Sequence, residues 1–481
     1  MGNGGSADQR FDRAAAGRKF GMFVHWGAYS VGGVEASWPV MLGPELQRRF
    51  IEALHRMGVA EVEMPVKPVT LRDYESFPQR FTAERFDAAE WVDLARDAGQ
   101  GYLVLTTKHH DGFALFDTET TDYKTTNTPF GRDVVREVTE ACAAGGVGFG
   151  AYFSAPDFHD EGYLDRGRPL PENFLGEPDR PAWAGFLDRM ERQVDELCTD
   201  YGDLYSWWWD IGFGPQWDID RFHGLVRKHQ PDALVNDRLG ALSTAVDPDL
   251  RADFLTPEQS VPKSIPRWST YPGPTDPTML FALIQQDNWE ELLEQVAPML
   301  RAHFDAPPDP SVPDADDFMP WEACMTFGGQ WAFNPDLERC KTGAEIISDL
   351  VETVSRGGSL LMNVGPQGDG SIQPEFQDAL RDVGRWLAVN GEGIDGTTFG
   401  PVQGQEHVRT TATDDHVYVH VLATAPDRVR VEGLAAHVAG AAGRVLTADA
   451  DATVEHDGDA VVIDLGRIPR DPVMTTLRLA R

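Results

Sequence analysis

Several short apolar stretches of this chain end in residues that can move protons, bind hydroxyls or attack an electrophile. His25 and Trp26 close FGMFVHWG, and Lys108, His109, His110 and Asp111 follow GYLVLTT. GAYFS ends on Tyr152, Phe153 and Ser154, LYSWWWD on Trp208 and Asp210, and ALVNDRLG contributes Asn236, Asp237 and Arg238. DFLTPEQ adds Glu258 and WEACMT adds Glu322. The set is polar, aromatic and rich in carboxylates, which suits a sugar. Aromatic faces stack on the C–H face of a pyranose while His, Arg and Asn divide its hydroxyls. Cleaving a glycosidic bond takes two acids, one to protonate the leaving oxygen and one to attack C1 or activate water. Their settings must differ: the attacking carboxylate needs cations nearby to stay ionised, and the proton donor needs a drier site. A separation of about 5 to 5.5 Å would give retention and about 6.5 to 9.5 Å inversion.

Taken singly, each motif also has a structural reading. A tryptophan run packs a core, and a double histidine can be a hydrogen-bonded pair. Asp87 and Glu90 read as helix capping alone. Asp237 is a second candidate for the site acid, Asp111 an orienting group, and Glu322 either holds the site from behind or forms a structural ion pair. Two competing functions stay in view. His25, His109, His110 and Asp210 could ligate zinc in a metal-dependent hydrolase, although the first strand lacks His-x-His and the aromatics favour a sugar. Chelation by EDTA separates these readings. A non-catalytic carbohydrate-binding protein would bind sugar and show no turnover.

Strands must be parallel and separated by helices to bring these ends together. The segments 87–110, 132–154 and 342–365 repeat one grammar: an acidic or hydroxyl cap, an amphipathic helix, a glycine stop and an apolar strand. With FGMFVHWG first, about eight strand candidates emerge, which reads as an α/β chain with a (β/α)8 TIM-like barrel over residues 1–394. In such barrels the site forms at the C-terminal ends of the strands. From residue 395 to 481, HVYVHVLA, RVRVEG and AVVIDLG alternate apolar and polar residues, as in an antiparallel β-sandwich. A Pro-rich stretch at about 260–319, with a helix capped by Asp287 and presenting Trp289, Leu292, Leu293 and Val296, is too long for a βα loop. It reads as an insertion on the barrel rim, serving as a lid or an oligomer contact; homo-oligomerisation is left open.

The 481 residues carry a formal net charge of −35, which repels nucleic acid and anionic membranes. Whether that acidity reflects a salty cytoplasm is left open. No stretch approaches the ~18 apolar residues of a membrane span, and the first twenty contain no secretory apolar core; a cytoplasmic protein is expected. Cys142, Cys198, Cys324 and Cys340 show no CxxC spacing and read as reduced thiols.

Together, RKFGMFVHWGAYSV, YLVLTTKHHDGFALFDTETTDY, NTPFGRDVV, WWWD, WEACMT and SRGGSLLMNVGPQGDG resemble the α-L-fucosidases of glycoside hydrolase family 29, over residues 18–400. The resemblance implies a retaining exo-glycosidase acting on terminal α-L-fucosyl groups, with a barrel, a C-terminal sandwich and no cofactor or metal. On matching positions it makes Asp210 the nucleophile and Glu258 the acid/base. His25, Trp38, His109, His110, Tyr152, Trp208, Arg238 and Trp331 become substrate-binding residues, with Trp331 near the C5 methyl. Two departures stand out: Phe153 replaces a second tyrosine, and Ser37 precedes Trp38 where the family has glutamate, the nearest acid being Glu35. The second leaves a related sugar, such as an α-L-galactoside, as an alternative substrate.

Overall fold

The computed structural model describes residues 7–41, 69–164, 176–212, 215–239, 251–267, 288–295, 311–448 and 450–481, with a few positions between 48 and 56 and at 298 and 309. Seven parallel strands run through the first part: β1 (Phe20–Val24), β2 (Tyr102–Lys108), β3 (Gly148–Ser154), β4 (Ser206–Asp210), β5 (Leu234–Val235), β6 (Glu322–Thr326) and β7 (Ser359–Val364). They are ordered β5-β4-β3-β2-β1-β7-β6, and nearly every residue in them is buried, as expected of strands covered on both faces.

The gap between β5 and β6 is filled by residues 254–258. Isolated parallel bridges join Asn236 to Phe254, Leu255 to Trp321 and Glu258 to Cys324, so the ring closes as an eight-position barrel. The eighth position, DFLTPEQ, is not a continuous ladder because Pro257 has no N–H to donate and Gln259 turns away at φ 52°. Its bonds to the next strand include Leu255 N–H to Pro320 O (2.9 Å), Glu322 N–H to Leu255 O (2.7 Å), Cys324 N–H to Pro257 O (3.1 Å) and Gln259 N–H to Cys324 O (2.9 Å).

Helices Ala88–Asp97, Val134–Gly145, Trp183–Asp200, Ile219–His229, Gly343–Ser355 and Pro374–Asn390 accompany the strands. Asp87 accepts from Ala89 and Glu90 N–H, and Asp133 accepts from Arg136 N–H. Thr342 and Glu345 form a complete capping box. Thr342→Ala removes a cap worth about 1 kcal/mol; the urea midpoint falls while turnover at 25 °C is unchanged, and an unmoved midpoint would show the cap to be energetically idle.

The tryptophan run is sorted by the two-residue period of a strand. Trp207 and Trp209 pack in the layer between sheet and helices, Trp209 lying 6.2 Å from Phe222. Trp208 points inward with Phe23, Tyr152 and Leu361. Beyond Asn390, eight antiparallel strands from Thr398–Phe399 to Met474–Ala480 form one ladder, and Val417, Val419, Val431, Val461 and Leu477 build its own core. Trp386 ties the last helix to this sandwich by donating to Met474 O at 3.1 Å.

Most of the stretch from 260 to 319 lies outside the described residues, including Asp287 and Val296. Trp289 and Leu293 are buried, and the Arg56 guanidinium lies 5.7 Å over the Trp289 ring. All four cysteines are free thiols. Among the described residues no helix is long and apolar enough to cross a membrane.

Candidate active site

β4 carries Asp210 to the mouth of the barrel, where the residue is only 7% exposed. Its Oδ2 accepts from the Tyr152 hydroxyl at 2.6 Å and lies 3.1 Å from His110 Nε2. Its Oδ1 accepts from Arg238 Nη1 at 2.9 Å. Burial alone would raise this carboxyl, but the His110 hydrogen bond, the charge of Arg238 and the Tyr152 hydroxyl outweigh it and hold Asp210 well below the usual carboxylate range. An ionised carboxylate is the form that attack on C1 would require. The next residue, Ile211, has φ 48°, a conformation costly for a β-branched residue, and Gly212 N–H then bonds Arg238 O at 2.9 Å.

Arg238 organises the site. Its Nη2 donates to Glu258 Oε2 at 3.0 Å while Nη1 holds Asp210, and its Nε donates to Thr256 Oγ1 at 2.9 Å. The guanidinium lies 4.7 Å over the Trp208 ring. One side chain therefore reaches both acids. Arg238→Met removes the cation and lets Asp210 rise toward the ordinary carboxylate range. With ionised Asp210 as the attacking group, the expected result is an acid limb of kcat/KM moved to higher pH and a kcat/KM lower by about 10- to 100-fold. A limb that stays put would mean Arg238 does not keep Asp210 ionised.

Glu258 departs from expectation in one respect. Its side chain is 40% exposed and ion-paired, so the drier setting expected of a proton donor is not built from the described residues; a bound sugar would have to supply it.

His25, His109, Tyr152, Trp208 and Trp331 form one aromatic cage. His25 sits 4.9 Å from the Trp331 ring, 5.5 Å from His109 and 5.6 Å from Tyr152. His109 stacks on Tyr152 at 5.6 Å and meets His110 at 4.7 Å, and Trp208 stacks beneath Tyr152 at 5.6 Å. Trp38 opens the short helix Trp38–Met41 and is half-buried, one residue beyond Ser37, whose hydroxyl touches His109.

Several strand-end residues face elsewhere, again by strand alternation. Trp26 packs outside the barrel against Phe86 and Trp91. Lys108 pairs with Asp157 at 3.1 Å and lies 4.3 Å over Phe153. Phe153 thus points away from the cage, so the missing tyrosine hydroxyl removes nothing from it. Asn236 clamps the Trp209 backbone from both sides. Asp237 is engaged with the eighth strand: its Oδ1 accepts from Thr256 N–H and Oγ1 at 3.1 and 2.8 Å, pinning that broken strand. Asp111 accepts from Tyr74 at 2.8 Å. Glu322 holds the site from behind, accepting from Trp208 Nε1 at 3.0 Å and from the Tyr102 hydroxyl; burial pushes it up to about 7.

Two residues carry more than their motifs suggested. The Glu35 carboxylate accepts from Trp331 N–H at 2.7 Å and Ala332 N–H at 3.2 Å, and burial pushes it up to about 7. Asn363 joins His25 to the Trp331 carbonyl. A lone Asn inside SLLMNVGP offers no sequence signal for this, whereas the displaced acid beside Ser37 did offer one for Glu35. His109, His110 and Asp210 also place potential metal-binding atoms within 4.8 Å of one another. Both Asp210 oxygens are already engaged, however, and the balancing positive charge is that of Arg238.

The model of the alpha-L-fucosidase family matches residues 6–273 and 275–392. The chain belongs to the alpha-L-fucosidase family. It is thereby a glycoside hydrolase. It is 28% identical to rat tissue alpha-L-fucosidase over 428 residues, covering 86% of this chain and 75% of that one. Against human tissue alpha-L-fucosidase it is 28% identical over 398 residues, 80% of this chain and 68% of the relative. Among solved structures, alpha-L-fucosidase isoenzyme 1 from Paenibacillus thiaminolyticus superposes with a TM-score of 0.74 at 28% identity, covering 98% of this chain and 99% of that one. The fold of a family member from Bacteroides thetaiotaomicron also matches, with a TM-score of 0.72 at 22% identity over 100% and 98% of the two chains. Barrel and sandwich are thus the architecture of the family.

Proposed function

We propose that this chain is a retaining exo-α-L-fucosidase in which Asp210 attacks C1 and Glu258 serves as acid and then base. The carrying observation is the single guanidinium shared by the two carboxylates, 2.9 Å from Asp210 and 3.0 Å from Glu258. Asp210 displaces the aglycone oxygen, which takes its proton from Glu258, leaving a fucosyl-Asp210 ester and ionised Glu258. Glu258 then removes a proton from water as that water attacks C1, and Asp210 leaves as the carboxylate. The Bacteroides structure is of a trapped covalent intermediate in complex with 2-fluoro-fucosyl fluoride, which supports this reading for a protein of the same fold. Arg238 and Tyr152 keep Asp210 ionised before attack and receive it afterwards. The cage of His25, His109, Tyr152, Trp208 and Trp331 binds the sugar, and exclusion of water there strengthens each polar contact.

A panel of aryl glycosides tests the assignment. Turnover of the α-L-fucoside should exceed that of the α-L-galactoside and arabinoside, and the first-formed product should be the α-anomer by NMR. A faster α-L-galactoside would move the substrate to the related sugar, and binding without hydrolysis would leave a carbohydrate-binding protein. We also place the protein in the cytoplasm, where its four free thiols would stay reduced; cell fractionation tests this.

A further inference from the structure

We propose that Ser37 and Asn363 lock His109 and His25 in opposite tautomers, so that the two rings offer neighbouring sugar hydroxyls one hydrogen-bond donor and one acceptor. The inference deepens the fucosidase reading and rests on it for the identity of the sugar.

The assignment follows from groups whose roles are not adjustable. The backbone N–H of Asp111 donates to Ser37 Oγ at 2.9 Å, so the serine oxygen is an acceptor there. Its single proton remains for its other partner, His109 Nδ1, and no third partner of this hydroxyl is found among the described residues. His109 Nδ1 is therefore bare, and the ring proton sits on Nε2, a donor. At His25 the fixed point is the Trp331 carbonyl, which can only accept. The Asn363 amide must turn its Nδ2 toward that carbonyl, at 2.7 Å, which leaves its Oδ1 facing His25 Nδ1, also at 2.7 Å. His25 Nδ1 thus carries the proton, and its Nε2 presents a lone pair.

Both rings are held neutral, so a tautomer is defined. Burial takes His25 down to about 4, against the hydrogen bond to Asn363 and the charge of Asp210. Burial likewise holds His109 well below the ordinary imidazole range, helped by His110 and His25. The ring centroids are 5.5 Å apart, a spacing that adjacent hydroxyls of one pyranose can bridge. Ser37 is a positioning residue for His109, and Asn363 is one for His25.

A hydroxyl that meets bare Nε2 of His25 must donate, whereas one that meets Nε2–H of His109 must accept. Fluorine can only accept, so monofluorinated sugars read the two roles separately. The test measures competitive inhibition by L-fucose and by its 3-deoxy-3-fluoro and 4-deoxy-4-fluoro analogues, alongside 15N NMR of histidine-labelled full-length protein. Wild type should show one Nδ1–H and one Nε2–H neutral ring for these two histidines. One fluoro analogue should weaken by about tenfold or more and the other stay within about threefold of fucose. Ser37→Ala should mix the tautomers of His109 and raise KM more than it lowers kcat, while Ser37→Thr, which keeps the hydroxyl, should retain the wild-type pattern. Identical tautomers in the two rings, or equal responses to the two fluorines in wild type, overturn the proposal even if Ser37→Ala does not fold. Correct tautomers in a protein that fails to hydrolyse aryl fucosides would overturn the fucosidase reading and leave the two locks standing.

Discussion

Asp210→Gly abolishes hydrolysis of an aryl α-L-fucoside, with kcat falling by about 10⁴-fold or more, and azide restores part of the rate. The carboxylate is the only buried anion held by Tyr152, His110 and Arg238 together among the described residues. Glycine leaves room where the carboxylate stood, so azide can attack from the same face. It yields a β-fucosyl azide, which NMR distinguishes from the α-configured product of the intact enzyme. Near-normal turnover in this variant would remove Asp210 from the mechanism.

Glu258→Ala separates substrates by leaving group. General acid assistance is worth about 10² to 10⁴-fold, and that loss should appear on alkyl fucosides, whose departing oxygen needs a proton. A dinitrophenyl fucoside leaves unaided, so its first step should be nearly unaffected, and fucosyl-enzyme should accumulate because water is no longer activated. The readout is kcat/KM across a series of aglycones. An equal loss for all of them would move the proton to another group. Glu35 is then the first to examine, since it is buried, is pushed up to about 7 and feels the charge of Glu258.

Much of this was legible along the chain. Each strand end announced itself by an apolar run closing on a polar residue, and the helix caps at Asp87, Asp133 and Thr342 could be read directly, since cap and N–H are neighbours in sequence. The alternation that turns Trp208 inward and Trp207 and Trp209 outward is likewise a property of any strand. Less visible was which strand-end acids meet the shared cation. Asp237 and Glu258 look equivalent on paper, yet one pins Thr256 and the other meets Arg238. Nothing in a run of residues says that Glu322, at the opposite end of its strand, supports Trp208 from beneath.

The order of strands and helices, the carboxylate that ends β4 and the change of texture near residue 395 were determined by the sequence alone, because short-range periodicity and local hydrogen bonding decide them. Only the tertiary structure decided that one guanidinium serves two acids and that Ser37 and Asn363 set two histidines in opposite senses. Those contacts join residues as far apart as His25 and Asn363, and barrel closure brings them within hydrogen-bond reach by a register that no single segment encodes.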